Sequence, residues 1–357
     1  FELLARRRID ALRLDHTDGL ADPAAYFEAL QRRFVQATGA QPASETPDDR
    51  ARPLPILVEK ILEADERLPG SWHVDGATGY EFARTLTGLF VQRRAERALT
   101  SLYVAFTGDA RSFAEQVHAA RHQVLADSFS SELEMTARAL LRIVADDRRH
   151  RDHTLGSCRR ALTELLAAFP VYRSYVREGT PPEPADVDVV RTAIGEARRR
   201  APTVDPGLFT LLESLLLMRT HAEGEQLERQ RVFARRLQQL TGPLTAKAVE
   251  DTVFYRYTRF VCLNEVGGAP QHFGASIAEF HAGNAERSLR FPLAMTTTST
   301  HDTKRGEDVR ARLAVLSEMP DRWRAAVQRL AAATAAVRGG VDGGPRPAPN
   351  AVYLLLQ

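Results

Sequence analysis

Three carboxylates in this sequence of 357 residues stand where type and surroundings could do chemistry: Asp15, Glu59 and Asp302. In Leu12-Arg13-Leu14-Asp15-His16-Thr17-Asp18-Gly19 an apolar stretch ends in charged groups before a glycine turn. Arg13 and Asp15 are two residues apart, so on a strand they share a face, and the guanidinium favours the ionised carboxylate. An ionised, oriented carboxylate is a nucleophile for an acetal carbon; a salt-bridged strand end is the alternative. Glu59 follows Pro55-Ile56-Leu57-Val58 inside an apolar run. Such surroundings favour the protonated form and suit a general acid, with pairing to an interior cation as the alternative. Asp302 follows His301 after a threonine-rich stretch, Thr296 to Thr300. Asp302 could accept from two neighbouring sugar hydroxyls and His301 could donate to another; alternatively, Asp302 or Thr303 only caps the next helix. A retaining glycosidase needs a nucleophilic carboxylate and an acid about 5 to 5.5 Å apart.

Three apolar segments are expected to be the strands that position these groups: Ile9 to Leu14, Ile56 to Leu62 and Leu293 to Thr298. Polar residues at the C-terminal ends of parallel strands are the arrangement of a (β/α) barrel. From Thr78 to Arg290 the period is helical, with apolar spacings of three and four over Phe113 to Val144 and again at Leu162 to Phe169, Leu208 to Met218 and Val232 to Leu240. Asp205-Pro206 supplies an N-cap and a first-turn proline, and Pro170 closes an earlier helix. Breaks are expected at Gln41 to Pro55, Gly179 to Asp186 and Gly339 to Pro349. The fold class is therefore α/β: a partial (β/α)8 TIM barrel in residues 1–77 and 291–357, around a large all-α insertion in residues 78–290.

The 44% hydrophobic and 26% charged residues are those of a globular chain, and a net charge of +2 provides no global field for nucleic acid or anionic lipid. Arg6 to Arg8 and Arg198 to Arg200 read as solvated helix faces. Two cysteines, Cys158 and Cys262, are too few for a disulfide framework, and Cys262 reads as a buried hydrophobe in an apolar helix. With neither a leader nor an apolar run of about eighteen residues, the expected location is the cytoplasm, with no membrane partner. His118 and His122 have the i, i+4 spacing of a zinc pair but lack the metalloprotease glutamate, so they read as a surface pair and no metal is assigned. Trp72 and Tyr80 flank a glycine-rich turn and could stack on a glucose ring, or pack in the core.

Four segments in order, LRLDHTDGLADP, LVEKILEADERLPGSWHVDGATGYEF, AKAVEDTVFYRYTRFVCLNEVGG and TTTSTHDTKRGEDVRARL, strongly resemble the maltooligosyltrehalose synthase family of the α-amylase superfamily, glycoside hydrolase family 13. The likeness includes QQLTGPLTAKAVEDT in the helical part. It implies a cofactor-free intramolecular transglucosylase that turns the reducing-end α-1,4 linkage of maltooligosaccharides into α,α-1,1, with a trehalose-releasing hydrolase as functional partner. It further implies Asp15 as nucleophile, Glu59 as acid/base and Asp302 as third carboxylate. Arg13 would hold Asp15, with His16, Tyr80, His301 and Lys304 binding sugar. The superfamily's Asn-His segment and the first barrel strands are absent, so the chain is expected to be a fragment with exposed strand edges. Rival readings are another α-glucan hydrolase or transglucosylase, or a non-catalytic glucan-binding helical scaffold.

Overall fold

The computed structural model describes residues 1–40, 52–335, 340–341, 344–345 and 347–357. Most of the Gln41 to Pro55 break and part of the Gly339 to Pro349 break therefore lie outside the described residues. The chain divides into two compact units, one of Phe1–Ile56, Pro69–Val74 and Val117–Val249, the other of Leu57–Leu68, Asp75–Gln116 and Glu250–Gln357. The stretch 78–290, read from its period as one insertion, thus contributes to both.

In the first unit the Pro23–Thr38 helix starts where Asp22 accepts from the Ala25 N–H at 2.9 Å, with proline at its first position, and ends at Gly39, φ 67°. Its buried face carries Phe27 against Trp72, ring centroids 5.1 Å apart, and Trp72 meets Tyr175 at 4.9 Å. Trp72 is therefore a core residue, 1% exposed, and does not present a stacking surface. Buried Gln31 donates to the Leu54 and His73 carbonyls at 2.8 and 3.1 Å and accepts from the Leu54 N–H at 3.0 Å, so one amide joins three segments. The Leu12–Leu14 strand lies beside the run into the next strand, with Leu12 N–H donating to the Pro55 carbonyl at 2.9 Å.

The periodic run from Phe113 to Val144 forms two helices, Phe113–Asp127 and Ser130–Ala145, which part at Ser128-Phe129. Ser130–Ala145 buries Leu133, Ala137, Leu140 and Val144 and packs on Leu155–Ala167 and on Gly224–Thr245. Leu155–Ala167 opens on a Thr154–Ser157 capping box, and Pro206–Leu216 on Asp205, which accepts from the Gly207 N–H at 2.7 Å. Each fully buried leucine in this core contributes about 1.5 to 3 kcal/mol. Pro243 inside the Gly224–Thr245 helix removes a backbone donor, and the chain continues as a π-helix, Ala246–Val253.

In the second unit Ile56–Val58, which crosses from one unit into the other, pairs in parallel with Gly76–Ala77, Leu57 opposite Gly76 and Val58 opposite Ala77. The Gly76–Ala77 strand was hidden in what read as a turn. Leu293 to Thr298, expected as a strand, is not one; it is bonded to that sheet from Met295 N–H to the Ala77 carbonyl at 3.1 Å. Side chains satisfy its backbone instead: Arg310 donates to the Thr298 carbonyl and Thr297 Oγ1 to the Ser299 carbonyl. It approaches so closely that a Cβ on Gly76 would meet Ala294 Cβ at 2.5 Å, and one on Gly79, φ 94°, the Met295 carbonyl oxygen at 2.6 Å. Cys262 lies in a buried 3-10 turn, Val261–Leu263, and not in an α-helix. Among the described residues no helix is long and apolar enough to cross a membrane.

Candidate active site

Asp15 ends the Leu12–Leu14 strand in the first unit. Arg13 Nη1 donates to Asp15 Oδ1 at 2.9 Å, the pairing that their spacing implies. Their side chains are 39% and 65% exposed, so the pair orients the carboxylate more than it stabilises the fold. His16 takes the left-handed conformation, φ 46°, and its ring lies over Gly19, where a Cβ would come within 2.5 Å of it. The Thr17–Gly19 turn is fastened from the helical part of the same unit. Buried Arg173 donates from Nη1 to the Asp18 carbonyl at 2.6 Å and to the Leu20 carbonyl, and from Nη2 to the Ala21 carbonyl at 3.0 Å. Tyr175 Oη donates to Asp18 Oδ1, and Gln239 Nε2 to the Gly19 carbonyl at 2.9 Å. Sequence reasoning missed these three residues; the polar Arg173-Ser174-Tyr175 run following Pro170 was the available signal.

Glu59 leaves the Ile56–Val58 strand at its C-terminal end in the second unit. Its Oε1 lies 3.4 Å from Tyr80 Oη, and the same hydroxyl donates to Asp302 Oδ2 at 2.5 Å. Tyr80 is 1% exposed. Burial, then the bond to Asp302, pushes its phenol well above the usual tyrosine range, so it stays protonated and donates. Gly79 before it and Gly267 against its Cβ, where an added Cβ would come to 2.8 Å, let the ring in. Tyr80 thus brings together two sequence-predicted carboxylates and is itself one of the predicted residues.

Lys60, next to Glu59, is fully buried and pairs with Glu66 Oε1 at 2.8 Å while donating to the Ile61 carbonyl at 2.8 Å. The pair braces the turn after Glu59, where Glu63 N–H also donates to Glu66 Oε2 at 3.0 Å. Lys60→Met should therefore cost about 3 to 5 kcal/mol in urea-induced unfolding, because Glu66 keeps its charge in a site only 11% exposed. An unchanged midpoint and slope would contradict this.

Asp302 sits in a loop in which its own N–H donates to Thr300 Oγ1 at 3.2 Å and His301 Nε2 stands 3.3 Å from its Oδ1. The following helix, Glu307–Val315, begins after Gly306, so neither Asp302 nor Thr303 is its cap. Lys304 does not turn to the carboxylates: its N–H donates to Glu265 Oε2 at 2.6 Å and its Nζ lies 5.1 Å from the centre of the Tyr255 ring. Glu265, whose burial pushes its carboxyl up, and Arg310, which donates to the Thr298 and Arg305 carbonyls, anchor this loop. Neither was picked out from the sequence. A cavity of about 710 Å³ in the same unit is lined by Tyr80, Thr300, Thr303, Arg84 and Arg287, but not by Glu59 or Asp302.

No protein-family model matches the chain. It is 37% identical over 339 residues to proteins named maltooligosyl trehalose synthase from two strains of Mycobacterium tuberculosis, covering 93% of this chain and 38% of each relative. Among solved structures it is similar to maltooligosyltrehalose synthase from Arthrobacter ramosus, with a TM-score of 0.77 and 31% identity over 99% of this chain and 39% of that one. A DSM5389 glycosyltrehalose synthase matches with a TM-score of 0.70 and 28% identity, over 99% of this chain and 38% of that one. The chain thus spans well under half the length of the relatives it matches.

Proposed function

From a chain homologous along nearly its whole length to part of the maltooligosyl trehalose synthases, we propose that the protein carrying it is a (1→4)-α-D-glucan 1-α-D-glucosylmutase. It acts on maltooligosaccharides by a retaining double displacement and makes the terminal unit of each chain a trehalose. The observation that carries this reading is the extent of the match, 93% of the chain with the helical part included.

The roles follow from the chemistry. Asp15, held by Arg13, attacks the anomeric carbon of the penultimate sugar, and the bond to the reducing-end glucose breaks. Glu59 gives its proton to the departing O4. The Tyr80 hydroxyl donates to Asp302 Oδ2 at 2.5 Å and stands 3.4 Å from Glu59 Oε1, between the two carboxylates. Those contacts support Glu59 as the acid and Asp302 as the carboxylate that accepts from sugar hydroxyls, with His301 beside it. The released glucose turns over, Glu59 takes the proton from its anomeric hydroxyl, and that oxygen displaces Asp15 to give the α,α-1,1 linkage. His16 is assigned as a further sugar donor. Lys304 contributes through its backbone and its place over Tyr255 and not as a direct ligand. The mechanism calls for no organic or redox cofactor.

The parallel pairing of Ile56–Val58 with Gly76–Ala77 supports a barrel sheet that the longer protein completes. Cytoplasmic location and functional pairing with a trehalose-releasing hydrolase belong to the same proposal.

Tyr80→Phe removes a hydrogen bond to a charged acceptor, worth about 1.5 to 3 kcal/mol, and is expected to lower kcat about ten- to hundredfold with KM little changed. A kcat within a factor of two of the parent would remove Tyr80 from the site. The activity itself is tested with maltopentaose and a protein carrying this chain at the relatives' full length. A non-reducing isomer of the same mass is expected, whereas net release of reducing sugar or longer oligosaccharides would show a hydrolase or an intermolecular transferase.

A further inference from the structure

In the first unit, far in sequence from the three carboxylates, two histidines and a glutamate converge from two helices. His118 and His122 lie one turn apart on Phe113–Asp127, their ring centroids 4.6 Å apart, and Glu164 comes from Leu155–Ala167. The carboxylate divides between the two rings: Oε2 is 3.2 Å from His118 Nε2 and Oε1 is 3.4 Å from His122 Nε2. The spacing alone suggested a surface pair, but the side chains are 20%, 35% and 18% exposed. His122 Nε2 is shut off from solvent, and its contact with Glu164 Oε1 lacks the geometry of a hydrogen bond.

We propose that His118, His122 and Glu164 form a binding site for a divalent transition-metal ion of the Zn²⁺ type. Around an ion with ligand bonds of 2.0 to 2.2 Å in tetrahedral geometry, neighbouring donor atoms stand about 3.3 Å apart. The separation of His118 Nε2 from Glu164 Oε2, 3.2 Å, matches that value, and one donor atom from each of the three residues lies within 4.8 Å of the others. Two imidazole nitrogens and one carboxylate oxygen suit zinc, nickel or copper better than calcium or magnesium, and a water would fill the fourth position. Arg200 is close enough to His118 to act on it electrostatically. The Arg200 cation also opposes a bound cation, but its guanidinium is tied to Glu196 Oε1 at 2.5 Å and is shared with that carboxylate.

The ion would act as a clamp between helices. Between the two histidines on the same helix, Arg121 donates to the Ala167 and Phe169 carbonyls at 3.1 and 2.6 Å, closing the C-terminal end of the Leu155–Ala167 helix. A metal on His118, His122 and Glu164 would fix this crossing one turn earlier and raise the thermal stability of the unit, because it binds only the folded arrangement.

The test titrates Zn²⁺ into the metal-free full chain by calorimetry, follows Tm, and records the visible spectrum with Co²⁺. The expected result is one ion per chain at micromolar affinity, a raised Tm, and intense Co²⁺ bands of a four-coordinate site. His118→Asn and, separately, the nearly isosteric Glu164→Gln should each weaken binding at least about tenfold, with unchanged far-UV circular dichroism showing that the fold survives. Binding only at millimolar metal, or binding equally strong in Glu164→Gln and His118→Asn, would overturn the proposal.

Discussion

Asp15→Asn is expected to lower kcat on maltooligosaccharides by roughly 10⁴-fold or more, while leaving Tm and KM close to those of the parent. The amide keeps the size and much of the hydrogen-bonding shape of the carboxylate but has no negative charge with which to attack an acetal carbon. Arg13 donates to it at 2.9 Å, and the pair is exposed, so the fold loses little. Glu59→Gln should show a different pattern. Its defect should be large for unactivated glucan chains and much smaller, in the first step, for a glucosyl donor whose leaving group needs no proton. Turnover unchanged in both variants would mean that neither carboxylate does the chemistry and would favour the binding-scaffold reading.

The second large effect lies away from the carboxylates. Arg173→Ala is expected to lower Tm markedly and to reduce kcat about ten- to hundredfold. It removes a buried guanidinium that holds the carbonyls of Asp18, Leu20 and Ala21, the turn directly following Asp15 and His16. Hydrogen bonds from charged donors contribute about 1.5 to 3 kcal/mol, and the one to the Asp18 carbonyl is buried. Arg173→Lys should recover part of the stability but not the rate, because a point donor cannot span three carbonyls as the planar fork does. Tyr175→Phe, which loses the bond to Asp18 Oδ1, should be milder. A full-rate Arg173→Ala enzyme would show that the turn keeps its place without this clamp.

Local chemistry was well recorded in the sequence. The Arg13–Asp15 pairing, the Asp205-Pro206 helix start and most helical faces follow from spacings of two to four residues, which one chain displays directly. Tyr80 was named because it flanks the glycine turn, but not for bridging two carboxylates, since its partner Asp302 is 222 residues away. Arg173 meets Asp18 across 155 residues, and Glu265 meets Lys304 across 39. Each is a polar residue whose use depends on where other segments come to rest, and no period encodes that. The strand errors have a similar origin. Gly76-Ala77 has almost no β-propensity yet pairs with Leu57 and Val58, whereas the threonine run at 296–298 has high propensity but is not a strand, and the Thr298 carbonyl accepts from Arg310 instead. The Glu164 that joins the histidine pair comes from another helix, 46 residues from His118, and so was also invisible to spacing.

The role of Asp15 is tested most directly by covalent trapping in a Glu59→Gln variant of a protein carrying this chain at the relatives' full length. With α-glucosyl fluoride the first step needs no acid, because fluoride leaves unprotonated, while the second step lacks its base, so the glucosyl enzyme accumulates. Peptide mass mapping after acid quench should find one added glucosyl unit on the peptide containing Asp15, and none when Asp15→Asn is added. The label on any other residue, or consumption of the fluoride with no labelled peptide, would contradict the account.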